Sequence, residues 1–229
     1  MQFDDLKILY LDLRNEIGDL AYKQISLLFE RAKILHKKDW EKNPTPNGDH
    51  EQSWRAFKGK NMEKLIQFIL KEEIEGLGLK IINGNKLERS RSLPKDLSIV
   101  KRNLAIDYGL FGLHLPDVDI IIYHPKTYNI LAVISCKVTL RERIAQTGYW
   151  KLKLMEEDLT KNIKVYFITP DEDKTLSRIH PTKKGRAIVE VDTDGAYVMT
   201  EEEIEESSKV KSFGKFINDI KILLKHERH

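Results

Sequence analysis

Pro116-Asp117-Val118-Asp119-Ile120-Ile121-Ile122-Tyr123 and Ile130-Leu131-Ala132-Val133-Ile134-Ser135-Cys136-Lys137 are two apolar runs joined by His124-Pro125-Lys126-Thr127-Tyr128-Asn129. Runs of this length, rich in β-branched residues and separated by a polar, proline-containing segment, read as two adjacent strands with a connecting turn. Side chains alternate along a strand. Asp117, Asp119 and Ile121 are therefore expected on one face, and Ser135 and Lys137 on one face of the next strand. Carboxylates and an ammonium group at the ends of otherwise apolar strands suit a site that holds a divalent cation and a phosphate. A structural ion pair is the plainer reading, weakened here because two acids face one lysine.

Outward from this pair, the apolar residues Leu6, Leu9, Leu13, Ile17, Leu20, Ile25, Leu28, Phe29, Ala32 and Leu35 recur at helical spacing over residues 3–38. Residues 40–50, with Pro44, Pro46 and Gly48, read as a loop, and a second helix is expected from about residue 52 to 75, closed by Gly76 and Gly78. A short strand should follow at 79–82, then a polar, basic stretch over 83–102 with a short helix after Pro94. Beyond the central pair come a helix over about 140–158, a third strand at 164–169, short strands near 187–191 and 196–199, and a final helix over about 208–226. The expected fold is α/β, with a mixed sheet between helices, divided into an N-terminal helical region (1–50) and a main domain (51–229).

The 229 residues are enough for a substantial core, and no apolar run reaches the length of a membrane span. The segment Met1-Gln2-Phe3-Asp4-Asp5 has no signal-like basic or apolar region. The single cysteine, Cys136, rules out an internal disulfide or a cysteine-based zinc site. A cytoplasmic protein with no membrane partner is expected. The net charge of +3 is small, but the bases are clustered: five fall between Lys174 and Arg186 with no acid among them, including Lys183, Lys184 and Arg186. Such clusters fit a face for an anionic ligand, although ordinary solvated surface explains any one of them.

The ordered set of Pro116-Asp117, an apolar strand, a turn, a second apolar strand and Ser135-Cys136-Lys137 resembles the PD-(D/E)XK nuclease superfamily, and within it the type II restriction endonucleases. Two flanking stretches extend the likeness over about residues 54–173. Trp54-Arg55-Ala56-Phe57-Lys58-Gly59-Lys60-Asn61-Met62-Glu63 looks like the helix before the sheet, which often carries an acid near the metal. Phe167-Ile168-Thr169-Pro170-Asp171-Glu172-Asp173 looks like the end of the third core strand. The resemblance implies a restriction-endonuclease-like core and Mg2+-dependent, site-specific hydrolysis of double-stranded DNA. It also implies 5′-phosphate ends and a homodimer acting on a roughly palindromic site. Asp117 is the first choice of metal ligand, with Asp119 close behind; Lys137 would position the attacking water.

The chain departs from the pattern at Ser135, where the motif has Asp or Glu. Some proteins of the family it resembles have serine there and take the acid from the following helix, but the corresponding place here is near Trp150 and Lys151, which cannot serve. Glu63, Asp119 and Glu142 remain, with Glu63 preferred. Glu142 has three readings. Thr139-Leu140-Arg141-Glu142 is a capping box, with Thr139 as N-cap. Arg141-Glu142-Arg143 matches a segment with which similar enzymes read G and C edges, implying a site with G·C pairs. Metal binding ranks third. Two alternatives to a restriction enzyme are a structure-specific repair nuclease of the same fold and a DNA-binding module that has lost catalysis, the latter suggested by Ser135.

Overall fold

A computed structural model describes residues 1–44, 48–140 and 143–226. The first helical stretch is two helices rather than one. Helix α1 (Phe3–Ile17) ends at Gly18, whose φ of 67° lies in the left-handed region that favours glycine. A 3-10 segment, Gly18–Gln24, leads into α2 (Ile25–Lys42). Helix α3 (His50–Gly76) starts where the Asp49 carboxylate accepts from the Gln52 amide at 2.7 Å. Its buried stripe includes Trp54, Met62, Leu65, Ile66, Leu70 and Ile74, at the spacing that presents one face to a core.

Next come β1 (Lys80–Asn83), α4 (Gly84–Arg89), α5 (Lys95–Leu104) and a small hairpin of β2 (Ile106–Asp107) and β3 (Leu113–His114). The central pair is β4 (Ile120–Tyr123) and β5 (Ile130–Cys136), every residue of which is buried. Helix α6 (Arg143–Met155), β6 (Lys164–Thr169), α7 (Lys184–Asp192), β7 (Gly195–Val198), β8 (Val210–Ser212) and α8 (Phe216–His226) follow. The stretch 187–191 is therefore helical, not a strand. Its β-branched residues favour extended backbone, but packing of Val189 against the sheet face decides the matter. The final helix also starts later than the spacing suggests, because residues 210–212 pair as β8.

The sheet runs β1-β4-β5-β6-β7-β8; β1, β4 and β5 pair antiparallel, while β5 through β8 pair parallel. One face, with Ile120, Ile122, Ile134 and Ile168, packs on α1, α2, α3 and α8. The other, with Ile121, Val133, Val165, Phe167 and Val198, packs on α5, α6 and α7. Helices on both faces explain why β4 and β5 read as continuous apolar runs rather than alternating ones. Among the described residues, no helix is long and apolar enough to cross a membrane.

Gly84 has a structural role next to the motif. A β-carbon built there would lie 1.9 Å from the Val118 carbonyl oxygen, and the Gly84 amide donates to the Asp119 carbonyl at 2.9 Å. The obstacle is backbone, which cannot swing aside as a side chain can. Gly84→Ala is expected to cost about 3 kcal/mol of folding stability, measured by denaturant unfolding; a loss below about 1 kcal/mol would show that the junction yields easily.

Candidate active site

The chain enters β4 only at Ile120, so residues 117–119 escape the alternation expected of a regular strand. Val118 packs in the same cluster as Ile121, on the α6 side of the sheet. Asp117 is exposed and accepts from the Gln146 amide nitrogen of α6 at 3.1 Å. Asp119 turns the other way, toward α3. It is 4% exposed, and its Oδ2 accepts from the Cys136 backbone amide at 2.6 Å and from Lys137 Nζ at 2.7 Å. Asp117 and Asp119 thus part to opposite sides. Their separation follows from the Gly84–Val118 contact and from the Asp119 amide bonding to Ile134 O at 3.0 Å.

Ser135 and Lys137 part in the same way. The Ser135 hydroxyl meets the Thr147 hydroxyl of α6 at 3.1 Å, while Lys137 reaches Asp119. Cys136 is packed in the core on the α3 side, and burial raises its thiol pKa well above the ordinary value. A buried, protonated thiol is a packing residue rather than a nucleophile. Trp150 and Lys151 lie on α6, where Lys151 is tied to Asp194 at 2.7 Å and to Ile163 O at 3.1 Å.

Glu63, on α3, completes the cluster. Its carboxyl is pushed up to about 7, first by burial and next by the negative charge of Asp119, with Lys137 opposing. Like Lys137, it lines the cleft beside the sheet end. Two carboxyls and an ammonium therefore converge beside a cleft of about 710 Å3, whose walls include Arg55, Lys58, Glu63, Lys137, Arg143 and Glu172. Of these, Arg55 and Lys58 were not singled out from sequence as ligands; their place on the α3 turn leading to Glu63 was the available signal.

The Glu63 shift has a direct consequence for the metal-free protein. A folded-state pKa above the ordinary 4.5 means that the folded form holds the proton more tightly than the unfolded one. The stability this confers is complete below pH 4.5 and is lost as pH rises through about 7. Glu63→Gln, which cannot ionise, is expected to melt a few degrees above the unmodified protein at pH values over 7 in chelator. At pH 4.5 the advantage should vanish. Parallel melting curves across this range would remove the assignment.

The other residues named from sequence differ in their placement. Arg186 is 1% exposed, and its guanidinium donates to Leu176 O, Glu205 O and the Glu190 carboxylate. It is a structural arginine and not the surface cation expected of a phosphate contact. Its burial was illegible locally, because its partners come from separate segments. Lys183 and Lys184 are exposed, Lys183 donating to Asp173 O at 2.8 Å, and neither lines the cleft. Arg143 is exposed at the start of α6 and does line it. Arg141 and Glu142 lie outside the described residues, so the capping, base-reading and metal readings of Glu142 are not addressed by the geometry.

Comparison with known proteins identifies the family. The family model for BsaWI restriction endonuclease type 2 matches residues 96–220, more than half of the chain. The chain belongs to this family of type II restriction endonucleases. A Methanocaldococcus jannaschii protein named type II restriction enzyme MjaVIP is 42% identical over 174 residues, covering 74% of this chain and 76% of that protein. A Helicobacter pylori protein named type II restriction enzyme HpyAORF263P is 37% identical over 126 residues, 55% of this chain and 64% of its own length. A solved complex of restriction endonuclease PspGI with substrate DNA superposes with a TM-score of 0.56 at 16% identity, covering 96% of this chain and 93% of the other. One of the specific restriction endonuclease AgeI with DNA gives 0.57 at 13% identity, covering 96% and 91%. The mixed sheet flanked by helices is thus the restriction-endonuclease fold, and the enzyme is a site-specific deoxyribonuclease.

Proposed function

We propose that this restriction enzyme hydrolyses phosphodiester bonds of double-stranded DNA with Mg2+ bound by Asp119 and Glu63 and with Lys137 beside them. The observation that supports this most is the 2.7 Å contact of Lys137 Nζ with a buried Asp119 next to Glu63. Among the described residues no three His, Cys, Asp or Glu side chains converge. Two oxygen donors nevertheless fit Mg2+, which keeps waters and uses substrate phosphate oxygens for the rest of its shell. Burial first and then the Asp119 charge raise the Glu63 pKa, and a bound cation would offset the repulsion between the two carboxylates. When bound, Mg2+ supplies Lewis-acid polarisation of the phosphate and lowers the pKa of coordinated water.

The chain's own groups have separable tasks. Asp119 is fixed by the Cys136 amide and so holds one orientation before substrate arrives. Lys137, as an ammonium, can donate but not accept; it orients the attacking water and offsets charge on the phosphate. Asp117, held by Gln146 on the α6 side, is the secondary acid candidate. Ser135 supplies no charge, so Glu63 takes the place of the motif's second carboxylate. Arg143, with the adjacent Arg141 and Glu142, is assigned to reading G·C edges, and Lys183 and Lys184 to peripheral phosphates. A homodimer on a palindromic site, leaving 5′-phosphate ends, completes the proposal, since two-fold protein symmetry matches a two-fold site.

Plasmid DNA incubated with Mg2+ should give discrete fragments, and a chelator should abolish them. Sequencing the fragment ends then reads the site and the end chemistry. Retardation of DNA without cutting would instead favour the binding module, and branch-selective cutting the repair nuclease.

A further inference from the structure

The acids in the cleft wall are not equally explained by catalysis. Glu63 belongs to the Asp119–Lys137 cluster and Glu51 is paired with Lys33 at 2.7 Å, on the rim. Glu172 is different. Its backbone amide donates to Val138 O at 3.3 Å, one residue beyond Lys137, which pins it to the wall of the active cleft. Its carboxylate takes both bonds from Lys58 Nζ, at 2.7 and 2.8 Å, and one from Ser26 Oγ at 3.2 Å. A carboxylate in a cleft that accepts a polyanion repels it unless neutralised, and Lys58 is the cation that neutralises it.

Lys58 is also held without Glu172. Its Nζ stands 5.5 Å from the centre of the Phe29 ring, a cation–π distance, so the ammonium has a second tether at the same place. The Lys58 and Glu172 side chains keep 19% and 29% exposure, and both line the cleft. A lysine placed this way can exchange one oxyanion for another without rebuilding its side chain.

We infer that Lys58 is a DNA-phosphate contact held in reserve by Glu172, which occupies its charge in the free enzyme and yields it to the backbone phosphate when duplex enters the cleft. This rests on the proposed binding of duplex DNA in that cleft. Glu172 therefore lowers affinity for non-cognate DNA, which offers the same phosphates but fewer compensating base contacts.

The test is anisotropy of a labelled duplex of random sequence, in chelator, across a salt series, with melting temperatures of every variant. Lys58→Gln is expected to weaken binding and to reduce the slope of log affinity against log salt by about one. Glu172→Gln should tighten binding about fivefold, the worth of one partly exposed ion pair released. The double variant should bind more weakly than Glu172→Gln alone and keep the reduced salt slope of Lys58→Gln, because the gain from Glu172→Gln runs through Lys58; its affinity should exceed that of Lys58→Gln, which leaves the Glu172 carboxylate unneutralised. If Glu172→Gln leaves affinity unchanged or weakens it while the unmodified enzyme binds duplex, the pair is only a clasp between α3 and the turn after β6, and the inference falls alone. If the unmodified enzyme does not bind duplex DNA at all, the proposed seating of duplex in that cleft falls and takes this inference with it.

Discussion

Asp119→Asn is expected to reduce Mg2+-dependent cleavage by at least about 10^3-fold, whereas Asp117→Asn should retain most of the rate. Both aspartates follow Pro116 closely, and alternation along a strand alone would treat them as equivalent. They separate because Asp119 is buried against Cys136 and Lys137 beside Glu63, while Asp117 is exposed on the α6 side. Asparagine keeps an oxygen to accept from the Cys136 amide, so the local backbone should survive while the charge is lost. Duplex binding in chelator should be unchanged or tighter, since one negative charge near the phosphates is gone. Single-turnover cleavage over a Mg2+ titration is the measurement. An inactive Asp117→Asn beside an active Asp119→Asn would reverse the assignment.

Lys137→Met should lower the maximal rate by about 10^2- to 10^4-fold, a loss of a different kind. The variant keeps both carboxylates, so its half-saturating Mg2+ concentration should stay the same or fall. Asp119→Asn should instead raise it, where residual cleavage can be followed. Lys137→Arg is not a conservative rescue, because a planar guanidinium does not reproduce a compact ammonium seated against one carboxylate oxygen. A Lys137→Met enzyme with a near-normal rate at saturating Mg2+ would leave the lysine a structural partner of Asp119 only.

Much of the candidate site was legible because its parts are close in the chain. β4, its turn and β5 announce themselves through apolar runs, and a lysine at the end of such a strand stands out. Glu63 is 56 positions before Asp119, and only its place on the helix preceding the sheet suggested it. The direction of individual side chains was less accessible. Alternation fails at residues 117–119 because Gly84 presses on Val118 and regular pairing begins only at Ile120. Arg186 shows the same limit for charge: a basic run reads as surface until three separate carbonyl and carboxylate acceptors bury one of its members.

By itself the sequence determined the two apolar strands, the acids and lysine at their ends, the absence of a carboxylate at Ser135 and the α/β layering, since these follow from composition and local periodicity. Only the tertiary structure decided which aspartate meets Lys137, that Glu63 joins them and that Lys58 is paired with Glu172 in the same cleft. Those outcomes depend on how α3 packs on the sheet and where β5 and β6 end. Contacts between segments far apart in the chain set them, and local sequence patterns do not encode such contacts.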